Sequence, residues 1–167
     1  MIELQRRVLE TCLCYVVDDQ ERFLLMFRGK KTGDIHQGKY NAPGGKIEQG
    51  ESPLDTLHRE VFEETGLSVT RSRRLGFLAF PGFHRDARGN PVDESVHVFL
   101  VTGWTGALRE DCPEGDLEWV AADRVLSLPL WEGDRVFLPF VIAGKRFEGK
   151  LTYDHGKLVE HDVFEMP

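Results

Sequence analysis

Cysteine is scarce: Cys12, Cys14 and Cys112 are the three in 167 residues. An odd count does not build a fully paired disulfide scaffold, and no matching Cys/His group completes a tetrahedral zinc set. Cys12 and Cys14 stand two apart in an apolar strand pattern, where buried thiols are ordinary. Positive charge is also in short supply. With 21 Lys and Arg against 28 Asp and Glu, the net charge is -7, which argues against a broad grip on a nucleic acid polymer and leaves a cation-bridged nucleotide open. Long apolar runs are missing, none approaching the roughly 20 residues that span a bilayer. The opening "MIELQRRVLE" lacks the apolar centre of a secretory signal. These absences predict a cytoplasmic protein without a membrane partner. Repeats, linkers and low-complexity tracts are absent too, and 41% hydrophobic residues suffice for a core, so one domain over residues 1–167 is expected.

What is present reads as an α/β chain. "TCLCYVVDD" and "RFLLMFR" predict a two-stranded hairpin. The following "GKKTGDIHQGKYNAPGGKIEQGE" is Gly-rich and polar, too long for a tight turn, and so is treated as part of a site. Ser52, Pro53 and Asp55 fit an N-cap, a first-turn proline and a capping box. They start a helix near Pro53, with Leu54, Leu57 and Val61 as its apolar stripe and Gly66 as its stop. "LSVTRSRRLGFLAF", "ESVHVFLVTGW" and "DLEWVAAD" predict strands of a mixed sheet. "DRVFLPFVIAG" has helical spacing at Val136, Phe137, Phe140 and Val141, and "RFEGKLTYDHGKLVEHDVF" reads as a hairpin turning at Asp154, His155 and Gly156.

The helix ends on "REVFEETGL", which crowds Glu60, Glu63 and Glu64 onto one face. Like charges at this spacing cost a few tenths of a kcal/mol each, and the helix dipole adds to the penalty near the C-terminus. A solvated acidic face would explain three acids alone. It does not explain the framework around them. Gly45, Glu51, Arg59, Glu60, Val61, Glu63, Glu64, Gly66 and Leu67 fill G-x5-E-x7-R-E-V-F-E-E-T-G-L, which resembles the complete box of the Nudix hydrolases. That resemblance implies a Nudix fold, an α/β/α sandwich about a central mixed sheet, and Mg2+-dependent phosphoanhydride hydrolysis, with Mn2+ as a substitute ion.

The physical reading runs beside it. Hard cations prefer carboxylate and carbonyl oxygens and bridge protein acids to phosphates. Gly45, Glu60, Glu63 and Glu64 form the candidate metal set, Gly45 through its carbonyl. Glu64 and Glu63 are candidates for activating water, while Arg59 pairs with Glu51 to hold the loop on the helix. Gly66 supports the site by ending that helix.

Beyond the box, "GKYNAPGGKIEQGES", "VHVF", "EGDLEWV", "LPLWEGDRVFLPF" and "FEGKLTYDHGKLVEHDV" resemble the MutT-like oxidised purine nucleoside triphosphatases, also called 8-oxo-dGTP diphosphatases. The resemblance implies a nucleotide substrate whose base meets Asn41, Trp131 and Asp134. It also implies a further carboxylate at Glu114, while Lys46 is in reach of a phosphate. Each has a plainer role open to it: Asn41 as a turn residue, Trp131 as a core anchor, Glu114 as one acid of an acidic loop, Lys46 as a surface residue. Gly133 departs from the two acids that follow this Trp in strongly selective relatives, so base selectivity stays open. Pro81, fourteen residues after Leu67, is a mark of ADP-ribose pyrophosphatases and keeps that activity as an alternative. A nucleotide-sensing module without turnover is a third reading, against which the intact acids argue. Oligomeric state is not legible.

Overall fold

Strand β1 (Val8–Val17) turns back on β2 (Arg22–Phe27) as an antiparallel hairpin, with Val16 opposite Leu24. Asp18 shapes the turn by accepting from the Gln20 and Arg22 amides. These positions come from a computed structural model that describes residues 6–167; residues 1–5 of the "MIELQRRVLE" stretch lie outside the described residues. The expected irregular segment after β2 is partly ordered into two short strands, β3 (Tyr40–Asn41) and β4 (Gly44–Lys46). Both are too short to leave a periodic signal.

Helix α1 (Pro53–Thr65) begins and ends where its caps predict. The Ser52 side chain accepts from the Asp55 amide while Asp55 accepts from the Ser52 amide, and Gly66 closes the helix at φ 82°. One expectation is corrected. Leu57 and Val61 are buried, but Leu54 is 49% exposed, because the helix rests on its Leu57–Val61 side and adds Thr56 and Thr65 to the contact.

Two long strands follow, β5 (Ser68–Arg85) and β6 (Pro91–Thr105), paired antiparallel with register shifts, one of them between Phe80 and His84. Then come β7 (Asp116–Ala121), short α2 (Ala122–Val125), α3 (Asp134–Ile142), and a last hairpin of β8 (Phe147–Asp154) and β9 (Lys157–Glu165). The hairpin turns through His155 and Gly156, both at positive φ, as a two-residue primed turn requires. In α3 the buried positions are Phe137, Leu138 and Val141.

Among the described residues nine strands form one sheet in the order β3-β2-β1-β6-β5-β8-β9, with β4 on β1 and β7 on β2. β1–β6 and β5–β8 are parallel and the rest antiparallel, which makes it mixed. Alternation along β1 builds both faces: Cys12, Cys14 and Val16 pack with Leu57 and Val61 of α1, while Tyr15 packs with Val125 of α2 and Phe137 of α3. The result is the helix–sheet–helix layering expected. Along one side of β1 the pairing divides, β4 meeting Thr11–Leu13 and β2 meeting Val16–Val17, with the Cys14 amide bonded to the Pro43 carbonyl between them. That division sets Asn41, Ala42, Gly44 and Gly45 along a cavity. No helix among the described residues is long and apolar enough to cross a membrane.

Candidate active site

The cavity encloses about 510 Å3 and is lined by two sets of residues of different chemistry. One set is acidic and glycine-rich, with Gly44, Gly45, Glu60, Glu64 and Glu114. The other is aromatic, with Phe80, Phe83, Trp131 and Tyr153 beside Asn41 and Asp134.

Arg59 organises the acidic set. Its Nε and Nη2 make a two-pronged bond to Glu51 at 2.6 and 2.9 Å, Nη2 also reaches the Lys46 carbonyl at 3.0 Å, and Nη1 holds Glu60 at 2.7 Å. The fork matches a carboxylate in shape as well as charge. Arg59, helped by the Thr56 hydroxyl and the Glu48 amide, draws the Glu51 acid down to about 2. The loop carrying Gly45 and Lys46 is thereby strapped to α1. A Cβ at Gly45 would collide with the Glu60 carboxylate, so any larger residue there would displace Glu60 from its place on Arg59.

Glu60 and Glu64 form the electrostatically strained part. Burial pushes the Glu64 acid up to about 8, and the Glu60 charge adds to it; the Gly44 amide, 3.3 Å from Oε2, offsets only part of this. Burial also raises Glu60, against the pull of Arg59. Arg59 bonds Glu60 but not Glu64, and Arg28 opposes the raised Glu64 acid only in part, so the buried pair lacks positive charge. A divalent cation fits this deficit, because it would supply the missing positive charge to two carboxylates that line the cavity beside Gly44 and Gly45, and carboxylate oxygens are donors hard cations take.

The remaining acids are placed differently. Glu63 is 57% exposed, 3.4 Å from Arg59 and off the cavity lining, and among the described residues no three acid, Cys or His side chains are gathered as a ready metal cluster. Glu114 reaches the cavity but is ion-paired, 3.0 Å from Lys31 and 3.7 Å from Arg28. Lys46 lies on the rim with its side chain exposed.

In the aromatic set, Trp131 meets Phe83 and Tyr153 edge to face and carries the Lys39 ammonium 4.9 Å over its ring. Asp134 accepts from the Trp131 amide at 3.2 Å, and burial pushes its acid up to about 7. Asn41 Oδ1 is buried with no hydrogen-bond partner among the described residues. A buried acceptor left without a donor costs on the order of 1–3 kcal/mol.

Several lining residues escape sequence reasoning. His36 accepts the Trp131 indole N–H on Nδ1 at 2.9 Å, and Thr11 and His84 each bond one oxygen of Glu94, at 2.8 and 2.7 Å. Phe83 and Tyr153 complete the wall. The "FPGF" stretch and the C-terminal hairpin held the aromatic signal, but the partnership of His36 with a residue 95 positions away has no local trace.

Comparison with known proteins supplies the wider setting. The family described as NUDIX domain matches residues 8–141. An oxidized purine nucleoside triphosphate hydrolase of Danio rerio is 29% identical over 83% of this chain and 85% of its own. An ADP-ribose pyrophosphatase of Bacillus subtilis is 42% identical over 51% of this chain and 41% of its own. The crystal structure of a MutT protein from Bacillus halodurans superposes with a TM-score of 0.78 at 32% identity, covering 93% of this chain and 97% of that one.

Proposed function

This chain belongs to the NUDIX family and is a Nudix hydrolase, and from that premise we propose that it hydrolyses nucleoside triphosphates to the monophosphate and pyrophosphate, with oxidised purine deoxynucleotides preferred. The observation that carries the reading is the cavity itself, which sets the charge-deficient pair Glu60 and Glu64 against an aromatic wall bearing the unpartnered Asn41 acceptor. Phosphates belong with the acids and a planar base with the wall. Aromatic faces give a base its stacking surface, and Asn41 and Asp134 can read its polar edge.

In this reading the Gly45 carbonyl, Glu60, Glu63 and Glu64 hold Mg2+, with Mn2+ as a substitute. The ion, when bound, neutralises phosphate charge and polarises the bond that breaks. The protein's own residues do the rest. Arg59 keeps Glu60 and the Gly45 loop in place through Glu51, and Glu64 takes the proton of the attacking water. Glu63 has only to turn inward from its exposed position. Glu114 and Lys46 line the phosphate side.

The test is a Mg2+-supplemented panel of 8-oxo-dGTP, dGTP, other nucleotides and ADP-ribose, with released products identified. 8-oxo-dGTP is expected to lead by kcat/KM. Glu63→Gln and Glu64→Gln should each lower turnover by about 100-fold or more with the fold intact, and excess chelator should abolish it. Full activity in chelator would remove the metal mechanism. A second reading, ADP-ribose hydrolysis, is favoured by Pro81 and by the B. subtilis relative; it replaces the first if ADP-ribose outpaces every triphosphate.

A further inference from the structure

We propose that the Tyr153 hydroxyl is a base-reading donor and that Gly133 exists to position it, giving the cavity a preference for purines that present a carbonyl oxygen. The inference rests on the nucleotide reading above and names the residue that selects within it. Tyr153 lies on β8 and Gly133 just before α3, and the Gly133 amide donates to the phenolic oxygen at 2.6 Å. A Cβ at position 133 would stand 2.5 Å from that same oxygen and 3.3 Å from Leu151. Gly133 is partly replaceable in backbone terms, since its φ of -67° suits any residue. Its need for glycine is therefore the space taken by the hydroxyl.

That bond uses a lone pair of the phenol and leaves its proton. Among the described residues no protein acceptor takes this proton, and Tyr153 lines the cavity. The ring is held on several sides, edge to face against Trp131 at 5.6 Å and Phe83 at 5.5 Å, and stacked on Phe80 at 6.3 Å. A ring so clamped holds the phenolic oxygen in one place while its O–H stays free to turn, and burial pushes its acid up to about 12. The cavity thus offers a neutral O–H donor at a fixed oxygen, in the same lining as Asp134 and Asn41. A carbonyl oxygen complements that donor. An exocyclic amino group at the same place would have to turn the O–H aside and use the one lone pair that Gly133 leaves, giving up the donor.

The experiment is calorimetric binding of deoxynucleoside monophosphates to the intact protein, using 8-oxo-dGMP and dIMP as carbonyl-bearing probes and dAMP as the amino counterpart. Tyr153→Phe keeps the ring contacts and removes the O–H, so its affinity for 8-oxo-dGMP and dIMP should fall about fivefold to tenfold, the worth of one neutral hydrogen bond, while dAMP changes less than twofold. Gly133→Ala, which keeps the O–H but pushes it aside, should lose the same discrimination. Thermal melts confirm that both variants fold, and Tyr153→Phe alone suffices if Gly133→Ala does not. Equal losses for all three probes, no loss for any, or failure of the wild type to bind any monophosphate would overturn the assignment. Because binding of monophosphates needs no turnover, a wild type that shows the discrimination yet cleaves no triphosphate would keep this inference and refute the proposed reaction.

Discussion

Asp134 stands in the first turn of α3, where the helix dipole favours a carboxylate, yet burial wins and lifts its acid to about 7. The sign follows directly. An unfolded Asp134 loses its proton near pH 4 and the folded one near pH 7, so the folded state binds more protons between those values and Asp134's contribution to stability falls as pH rises through that window. Asp134→Asn is therefore expected to flatten the decline, matching wild type at pH 4 and exceeding it at pH 8 in urea melts. Below pH 4 the opposite behaviour belongs to Glu51, whose lowered acid stabilises the fold above its ordinary range and loses that support as pH falls toward 2. Residue-scale legibility followed the same division. The Glu51–Arg59 pairing could be read from spacing within one segment, whereas the His36–Trp131 bond and the Tyr153–Gly133 contact join residues that only the folded chain brings together.

At the scale of elements, α1 shows how much a helix owes to its ends. Removing the Ser52 cap by Ser52→Ala should cost about 1 kcal/mol. Gly66→Ala should cost about 1–2 kcal/mol, since an alanine must adopt the left-handed conformation and its Cβ would meet the Ala107 carbonyl at 2.9 Å. Both are measured as urea midpoints with unchanged slope. The boundaries of α1 were legible because capping is local chemistry. Its buried face was less so: Leu54 fits the helical period as well as Leu57 does, and only the position of the sheet decides between them. β3 and β4 were illegible for a different reason, as strands of two and three residues owe their existence to the partners β2 and β1.

For the whole molecule, the sheet divides the interior into two cores that do not compensate for one another. Phe137 is fully buried in the core that faces the cavity, against Tyr15 at 6.5 Å and Phe147 at 5.9 Å. Phe137→Ala should cost about 3–5 kcal/mol by denaturant titration, and because the same layer carries α3 it should also weaken nucleotide binding. The mixed sheet was legible from strand composition, but its order was not, since long-range pairing leaves no mark on local sequence. The parallel pairing of β1 with β6 has a temporal side. Val8 faces Asp93 and Val16 faces Val101, so β1 leaves the ribosome about 85 residues ahead of the strand it pairs with in parallel. At roughly 5–20 residues per second that is a wait of roughly 4–17 seconds with the β6 edge of β1 unpaired. Nascent chains halted at Asn90, which lack β6, should be digested by protease faster than chains halted after Thr105.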